Sequence, residues 1–270
     1  MVLIVLNLLL IIGVIYWIRQ TLHVNNTETE SYIDNPTLTN SFKDYSSYFS
    51  HMTGLEIGGP SLFFKSSGIY SAPAKLDNIN FAHDTLWSTN VSNSDYIFEG
   101  KTIPGKTYIS DIVNLGIVKD KTYDFVFASH VLEHVVNPLK AIGEITRVLK
   151  DNGICVLILP WKEETFDHKR PISKFSKLLE NYNTNRDEVY IDDYLPEVRQ
   201  YYDLSRDLPA GTMDQFLARC KDNYINRGLH VHVFDFDLIV QCLRFFKYDV
   251  LDMQLVKPYH QTVLAKKTMD

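Results

Sequence analysis

Apolar and polar positions divide the chain into three regimes. Val2 to Ile18 is apolar apart from Asn7 and Gly13, with Tyr16 and Trp17 near its end and Arg19 just beyond. Helical residues 2–18 would reach about 26 Å at ~1.5 Å each, close to the lower limit for a hydrocarbon core. An aromatic pair before a cation suits a membrane interface. Residues 1–18 are therefore read as a single-pass transmembrane signal anchor. A cleaved signal peptide would want a basic start and a small-x-small cleavage site, and neither is visible; a buried or interfacial helix is the other rival. No Lys or Arg precedes the span and Arg19 follows it, so the positive-inside rule predicts a cytosolic body. Residues 19–50 are rich in Asn, Thr, Ser and acids, hold Pro36 and lack apolar periodicity, which predicts a polar tether.

From residue 51 onward, short apolar runs alternate with helix-like stretches, the pattern of an α/β fold. Gly54–Ile57 is one run, closed by Gly58-Gly59-Pro60. Lys75–Phe81 and Thr107–Ser110 are weaker strand signals, and Tyr123–Ser129 and Ile154–Pro160 are buried strands. Between the last two, Asn137 is a good N-cap and Pro138 a good first helical residue. Leu139, Ile142, Ile145, Val148 and Leu149 recur on one face, and Gly153 is the expected terminator. Strand, helix and strand then form a right-handed parallel unit. Phe236–Phe246 is helical in pattern, Tyr248–Val256 strand-like, Lys257-Pro258-Tyr259 a turn and His260–Lys266 a final strand. Residues 161–229, broken by Pro171, Pro196 and Pro209, are too long for a bare loop and predict a helical insertion over the site.

Charge narrows the partners. The chain carries 27 Lys and Arg against 33 Asp and Glu, a formal net charge of −6, which argues against a nucleic-acid binder. Its three cysteines, Cys155, Cys220 and Cys242, are far apart and lack a C-x-x-C pair, so neither a disulfide framework nor a thiolate zinc site is expected.

The order Leu55-Glu56-Ile57-Gly58-Gly59, Leu76-Asp77, Asp111 with Leu115, Tyr123-Asp124-Phe125-Val126 and Leu132-Glu133-His134 resembles the class I S-adenosylmethionine-dependent methyltransferases, in particular their type 11 domains. The resemblance covers residues 51–160 well and 230–270 in outline. It implies a Rossmann-like, seven-stranded, mostly parallel sheet of order 3-2-1-4-5-7-6 with the last strand antiparallel, in a domain spanning 51–270. It also implies S-adenosylmethionine as cofactor. A Gly-Gly turn lets a ligand approach the backbone closely. The resemblance makes Glu56 the partner of the methionine ammonium, Asp77 the acceptor for the ribose hydroxyls and Asp111 the acid facing adenine. Gly58, Gly59, Ser129 and His130 complete the cofactor set. Pro60 and Leu62 replace two glycines of the family loop, and proline removes a donor.

Methyl transfer is an in-line displacement in which the protein mainly aligns the acceptor and excludes water. A hydroxyl or protonated amine acceptor also needs a base. His130, His168 and His232 are the expected catalytic residues, with His134 and His230 as further imidazoles. His130, Glu133 and His134 share a helical face. A related quinone-precursor methyltransferase group carries Glu, Glu and His at this spacing and binds a divalent metal. Here His130 holds the first position, so no metal ligand is assigned and Glu133 and His134 are expected to orient loops. The expected acceptor is a small molecule, a lipid-linked intermediate or a glycan. A catalytically degenerate, membrane-anchored interaction module is the alternative, motivated by Pro60. A nucleotide-dependent oxidoreductase would want a fuller Gly-x-Gly-x-x-Gly loop and no terminal hairpin.

Overall fold

The computed structural model describes residues 37–85, 91–96 and 105–269. The anchor, residues 1–18, and the start of the tether lie outside these. Among the described residues no helix is long and apolar enough to cross a membrane.

The sheet grows from a parallel core of β2 (Thr53–Ile57), β3 (Lys75–Asn80), β5 (Gly105–Ile109), β6 (Tyr123–Ser129) and β7 (Leu149–Pro160). A C-terminal hairpin, β8 (Tyr248–Val256) and β9 (His260–Lys267), is added beside β7. Read from one edge, the order is β1-β8-β9-β7-β6-β2-β3-β5-β4, where β1 is Thr37–Thr39 and β4 is Asp95–Tyr96. Without its two short edge strands this is the expected 3-2-1-4-5-7-6 sheet. β9 runs antiparallel to both β7 and β8. The expectation of seven strands is corrected to nine. β1 adds parallel to β8 and β4 adds antiparallel to β5, so each covers an edge that would otherwise present unpaired backbone groups.

Helix α1 (Leu62–Ser67) follows the glycine turn and is closed by Gly68 at φ 74°. Helix α2 (Pro138–Val148) is the crossover between β6 and β7, and the Asn137 side chain accepts from the Lys140 amide as its N-cap. It stops at Val148 rather than at Gly153, because Leu149 turns extended and enters β7 directly. Residues 161–229 carry α3 (Phe175–Asn183), α4 (Leu195–Tyr201), α5 (Met213–Lys221) and the single turn α6 (Asn223–Asn226). Helix α7 (Phe236–Phe245), capped by Asp235, precedes the hairpin.

Two cores result. On one face of the sheet Phe125 and Phe127, two residues apart on β6, meet Phe49, Phe64, Tyr45 and Tyr70. The Phe49 ring lies 4.9 Å from both Phe125 and Phe127, and Phe64 stacks on Phe127 at 4.7 Å. Phe49 and Tyr45 come from the range read as tether, so residues 37–50 belong to the fold. The Tyr45 hydroxyl donates to Asp252 at 2.8 Å, and the Lys43 amide donates to the Gln254 side chain at 3.0 Å. The second core lies within the insertion, where Val198, Tyr202, Phe216, Leu217 and Cys220 pack against Val136 and Val231.

Gly105 marks the tightest strand contact. A Cβ there would lie 1.6 Å from the Leu76 carbonyl oxygen, a backbone atom that no side-chain rotation can move. The substitution Gly105→Ala is expected to cost about 3 kcal/mol or more, the upper end of overpacking penalties. Urea unfolding of the variant beside the parent measures it.

Candidate functional site

The carboxyl ends of the parallel strands open onto a cavity of about 840 Å³. One end is formed by Gly58 and Gly59 after β2, Asn80 and Phe81 after β3, Asp111 and Ile112 after β5, and Ser129 at the end of β6. The other end is closed by Phe166 from the insertion, His230 just after it, and Tyr259 and His260 from the hairpin, with His130 and His134 between.

The glycine turn is built from within. Gly58 sits at φ 78°, and a Cβ there would crowd Val131 at 3.1 Å. Its amide donates to the Ile79 carbonyl at 2.8 Å, and the Gly59 amide donates to Asn78 Oδ1 at 3.1 Å. The Ser61 amide donates to Glu56 Oε1 at 3.0 Å, and Pro60 has no N–H. The turn therefore offers a ligand close approach rather than donors. A Cβ on Gly59 would lie 2.3 Å from the Glu56 carboxyl carbon, so this glycine makes room for that side chain.

Glu56 is fully buried and does not line the cavity. Tyr70 donates to its Oε1 at 2.7 Å and Tyr96 to its Oε2 at 2.6 Å. Burial raises its pKa, against the opposing effect of these hydrogen bonds. Its place as an ammonium partner is corrected: both oxygens are spent on loop and strand contacts. Asp77 is corrected in the same way. The β2–β3 register sets Asp77 level with Leu55, two residues below Ile57. There its carboxylate accepts from the Tyr123 hydroxyl at 2.9 Å and the Lys106 amide at 2.8 Å, with Lys75 beside it. Asn80, the last residue of β3, stands at the cavity instead. Asp111 does reach the cavity, but Arg227 from the insertion donates to its Oδ2. The Arg227 guanidinium also lies over the Phe81 ring at 4.2 Å.

The imidazoles separate. His130 lines the cavity at φ 55°, a left-handed conformation uncommon for a non-glycine residue. Its Nε2 is 2.9 Å from His260 Nδ1 and its Nδ1 is 3.4 Å from Glu133 Oε1. Burial, then His130, lowers the His260 pKa to about 4. His168 leaves the cavity and pairs with Asp203 at 2.7 Å. His232 is buried against Tyr194 and bonds the Val136 carbonyl at 3.1 Å. Neither His168 nor His232 lines the cavity, so both expected catalytic placements are corrected. His230, two residues before His232, does reach the cavity, with Nδ1 2.6 Å from Asp167 Oδ2.

Beneath these imidazoles Glu133 is buried, and neither of its oxygens has a hydrogen-bond partner. Burial raises its pKa, but the flanking His130 and His134 outweigh that and hold it below the ordinary value. Donor atoms of Glu133, His134 and His230 lie within 4.8 Å of one another. Asn80, Phe81, Phe166, Arg206, Tyr259 and His260 were not anticipated as site residues. Only Asn80, by ending a strand, carried a local signal.

Residues 86–157 match the family model of a methyltransferase domain. That match covers β4, β5, β6 and most of β7, and leaves β2, β3 and the glycine turn outside it. That stretch of the chain is similar to a methyltransferase domain, and S-adenosylmethionine is the cofactor of the enzymes it resembles. Among solved structures it is similar to the CurJ carbon methyltransferase, at 12% identity and TM-score 0.45, covering 82% of this chain and 49% of that one. The chain thus spans about half the length of that protein. It is also similar to a methyltransferase of Aquifex aeolicus, at 14% identity, TM-score 0.44 and coverages of 82% and 85%. A third is a methyltransferase of Methanosarcina mazei, at 13% identity, TM-score 0.46 and coverages of 83% and 96%. No curated protein matches.

His232 supplies a pH test. Burial lowers its pKa to about 4 from the ordinary 6.5. As pH falls below 6.5 the unfolded chain takes up a proton that the folded chain refuses, so stability is lost on acidification. One such group accounts for about 2 kcal/mol between pH 7 and pH 5. Urea titrations at the two values should show His232→Leu losing less stability across that interval than the parent, by about that amount. The same variant should keep its turnover, since the side chain does not meet the cavity.

Proposed function

We propose that the chain transfers the methyl group of S-adenosylmethionine to a hydrophobic, hydroxyl-bearing small molecule held between His130, Phe166, Tyr259 and His260. The observation behind this reading is the division of one cavity into two chemically different ends. The sheet end has the close-approach glycine turn, a strand-terminal Asn80 and the rim acid Asp111, a fit for a nucleoside. Asn80 takes the ribose position expected of Asp77. When bound, the cofactor supplies the electrophilic methyl group. The chain's own share is alignment, exclusion of water and proton removal.

Proton removal falls to His130. It stands at the end of β6, between the two halves of the cavity. His260 on one nitrogen and Glu133 near the other fix its ring. The rings of Phe166 and Tyr259 give a flat apolar acceptor a surface, and Arg206 lies nearby in the lining. A lipid-linked acceptor is compatible with that surface. The apolar segment 1–18 supports single-pass anchoring with the body on the cytosolic side. Deleting residues 1–18 should move the protein from the membrane to the soluble fraction, and retention in the membrane would count against an anchor there.

The spent loop amides and Pro60 favour one rival, a cofactor-free interaction module. Calorimetry with S-adenosylhomocysteine separates the two. The parent chain should bind saturably in the micromolar range, and Gly58→Val should weaken binding at least about tenfold by filling the turn. His130→Ala should keep that binding and lower turnover on a hydroxyl acceptor by about 10²-fold or more. Absence of binding by the parent would leave the module.

A further inference from the structure

We propose that Glu133, His134 and His230 form a binding site for a divalent transition-metal ion of the zinc type, opening onto the cavity beside His130. The proposal stands apart from methyl transfer and rests on the arrangement of these side chains.

Three observations converge. First, the Glu133 carboxylate is buried with both oxygens unpartnered, a costly state for an anion. The nearest other buried acid, Asp167, already has a permanent counter-charge in Arg170 at 2.9 Å. Arg170 spends its remaining donors on the His230 and Val231 carbonyls and on Glu197. Among the described residues no such permanent counter-charge contacts Glu133; the titratable groups within ion-pair reach are the imidazoles of His130 and His134.

Second, the spacing is that of ligands rather than of hydrogen bonds. His134 Nε2 lies 3.7 Å from Glu133 Oε1, too far to donate. Ligand atoms at ~2.0–2.1 Å around a tetrahedral ion stand about 3.3 Å apart. The widest separation in the group is at most 4.8 Å, so binding asks for a closure of no more than about 1.5 Å.

Third, each imidazole has the outer partner that metal-bound histidines have. His134 Nδ1 donates to the Leu229 carbonyl at 3.1 Å. His230 Nδ1 faces Asp167 Oδ2 at 2.6 Å. Such partners fix the ring and commit Nδ1, so that Nε2 is the nitrogen that would turn to the metal. Two imidazoles and one carboxylate are a known catalytic zinc donor set, with a fourth position left for water or a substrate oxygen. Here the cavity supplies that position. An acceptor hydroxyl bound there would lose its proton more readily.

The test uses the full chain, stripped with chelator and dialysed, then titrated with zinc and separately with cobalt(II). One equivalent of zinc should bind, and cobalt should give the visible spectrum of a nitrogen- and oxygen-ligated ion. Glu133→Gln and His230→Ala should each weaken zinc binding by about 100-fold or more, and Asp167→Asn, acting through His230, by about 10–100-fold. Circular dichroism checks the fold of each variant. If a variant fails to fold, the parent's stoichiometry and cobalt spectrum still decide. A parent that binds S-adenosylhomocysteine but takes up neither ion stoichiometrically overturns the proposal, as does a folded Glu133→Gln variant with parental affinity. Metal uptake without S-adenosylhomocysteine binding would overturn the methyltransferase reading and leave this site standing.

Discussion

A single buried carboxylate fixes the mouth of the sheet. Glu56 is fully buried and, among the described residues, pairs with no cation, so its carboxyl group is tolerable only if hydrogen bonds surround it. Those donors come from three places: the Ser61 amide at the start of α1, the Tyr70 hydroxyl just after that helix, and the Tyr96 hydroxyl on the edge strand β4. Removing any one leaves a buried acceptor poorly satisfied, at a cost of about 1–3 kcal/mol. The same contacts explain Gly59, which has no room for a side chain beside the carboxylate. The turn's shape is thus set from beneath, and the surface it shows to the cavity follows from that.

The opposite wall is held by a second buried charge. Arg170 sits in the insertion with its side chain almost wholly enclosed, joining Asp167, Glu197 and two carbonyls of the 230–231 segment. An arginine fork suits this work because its donors leave in fixed directions. It pins Asp167 where it meets His230, and it pins the backbone that carries His230. The aromatic core around Tyr202 and Phe216 supports the assembly from outside. The insertion is therefore a preorganised wall with its own core.

The parallel core, its strand order and the crossover helix were legible because each rests on a local signal: apolar runs of strand length, an N-cap followed by proline, and one apolar stripe. Register was not legible. Asp77 and Asn80 are three residues apart, and chain spacing alone favoured the acid; only pairing with β2 shows that Asp77 is sunk beside Tyr123. The two-residue spacing of His230 and His232 reads as one side of an extended segment; that His230 meets the cavity while His232 is buried depends on Arg170 and Val136, distant in sequence. Phe42, Tyr45 and Phe49 recur at helical spacing within a polar stretch. That was the available sign that the supposed tether packs against β6, hidden by the polar composition around it.

The two walls divide the work in a way the residue types explain. The sheet wall needs shape more than charge, since a nucleoside is mostly flat and neutral, and its own polar groups are largely spent holding each other. The opposite wall carries imidazoles, and burial holds those of His134 and His260 below their ordinary pKa, as neutral groups near pH 7. His130 stands where the walls meet, in a strained backbone conformation at a strand end. A residue held at φ 55° with no glycine to ease it is maintained by its surroundings, here His260, Tyr259 and Glu133. Those surroundings come from the terminal hairpin and from the turn after β6. The antiparallel closure of the sheet thereby brings the hairpin tip to the reacting end of the cavity, and the insertion brings the second row of imidazoles behind it.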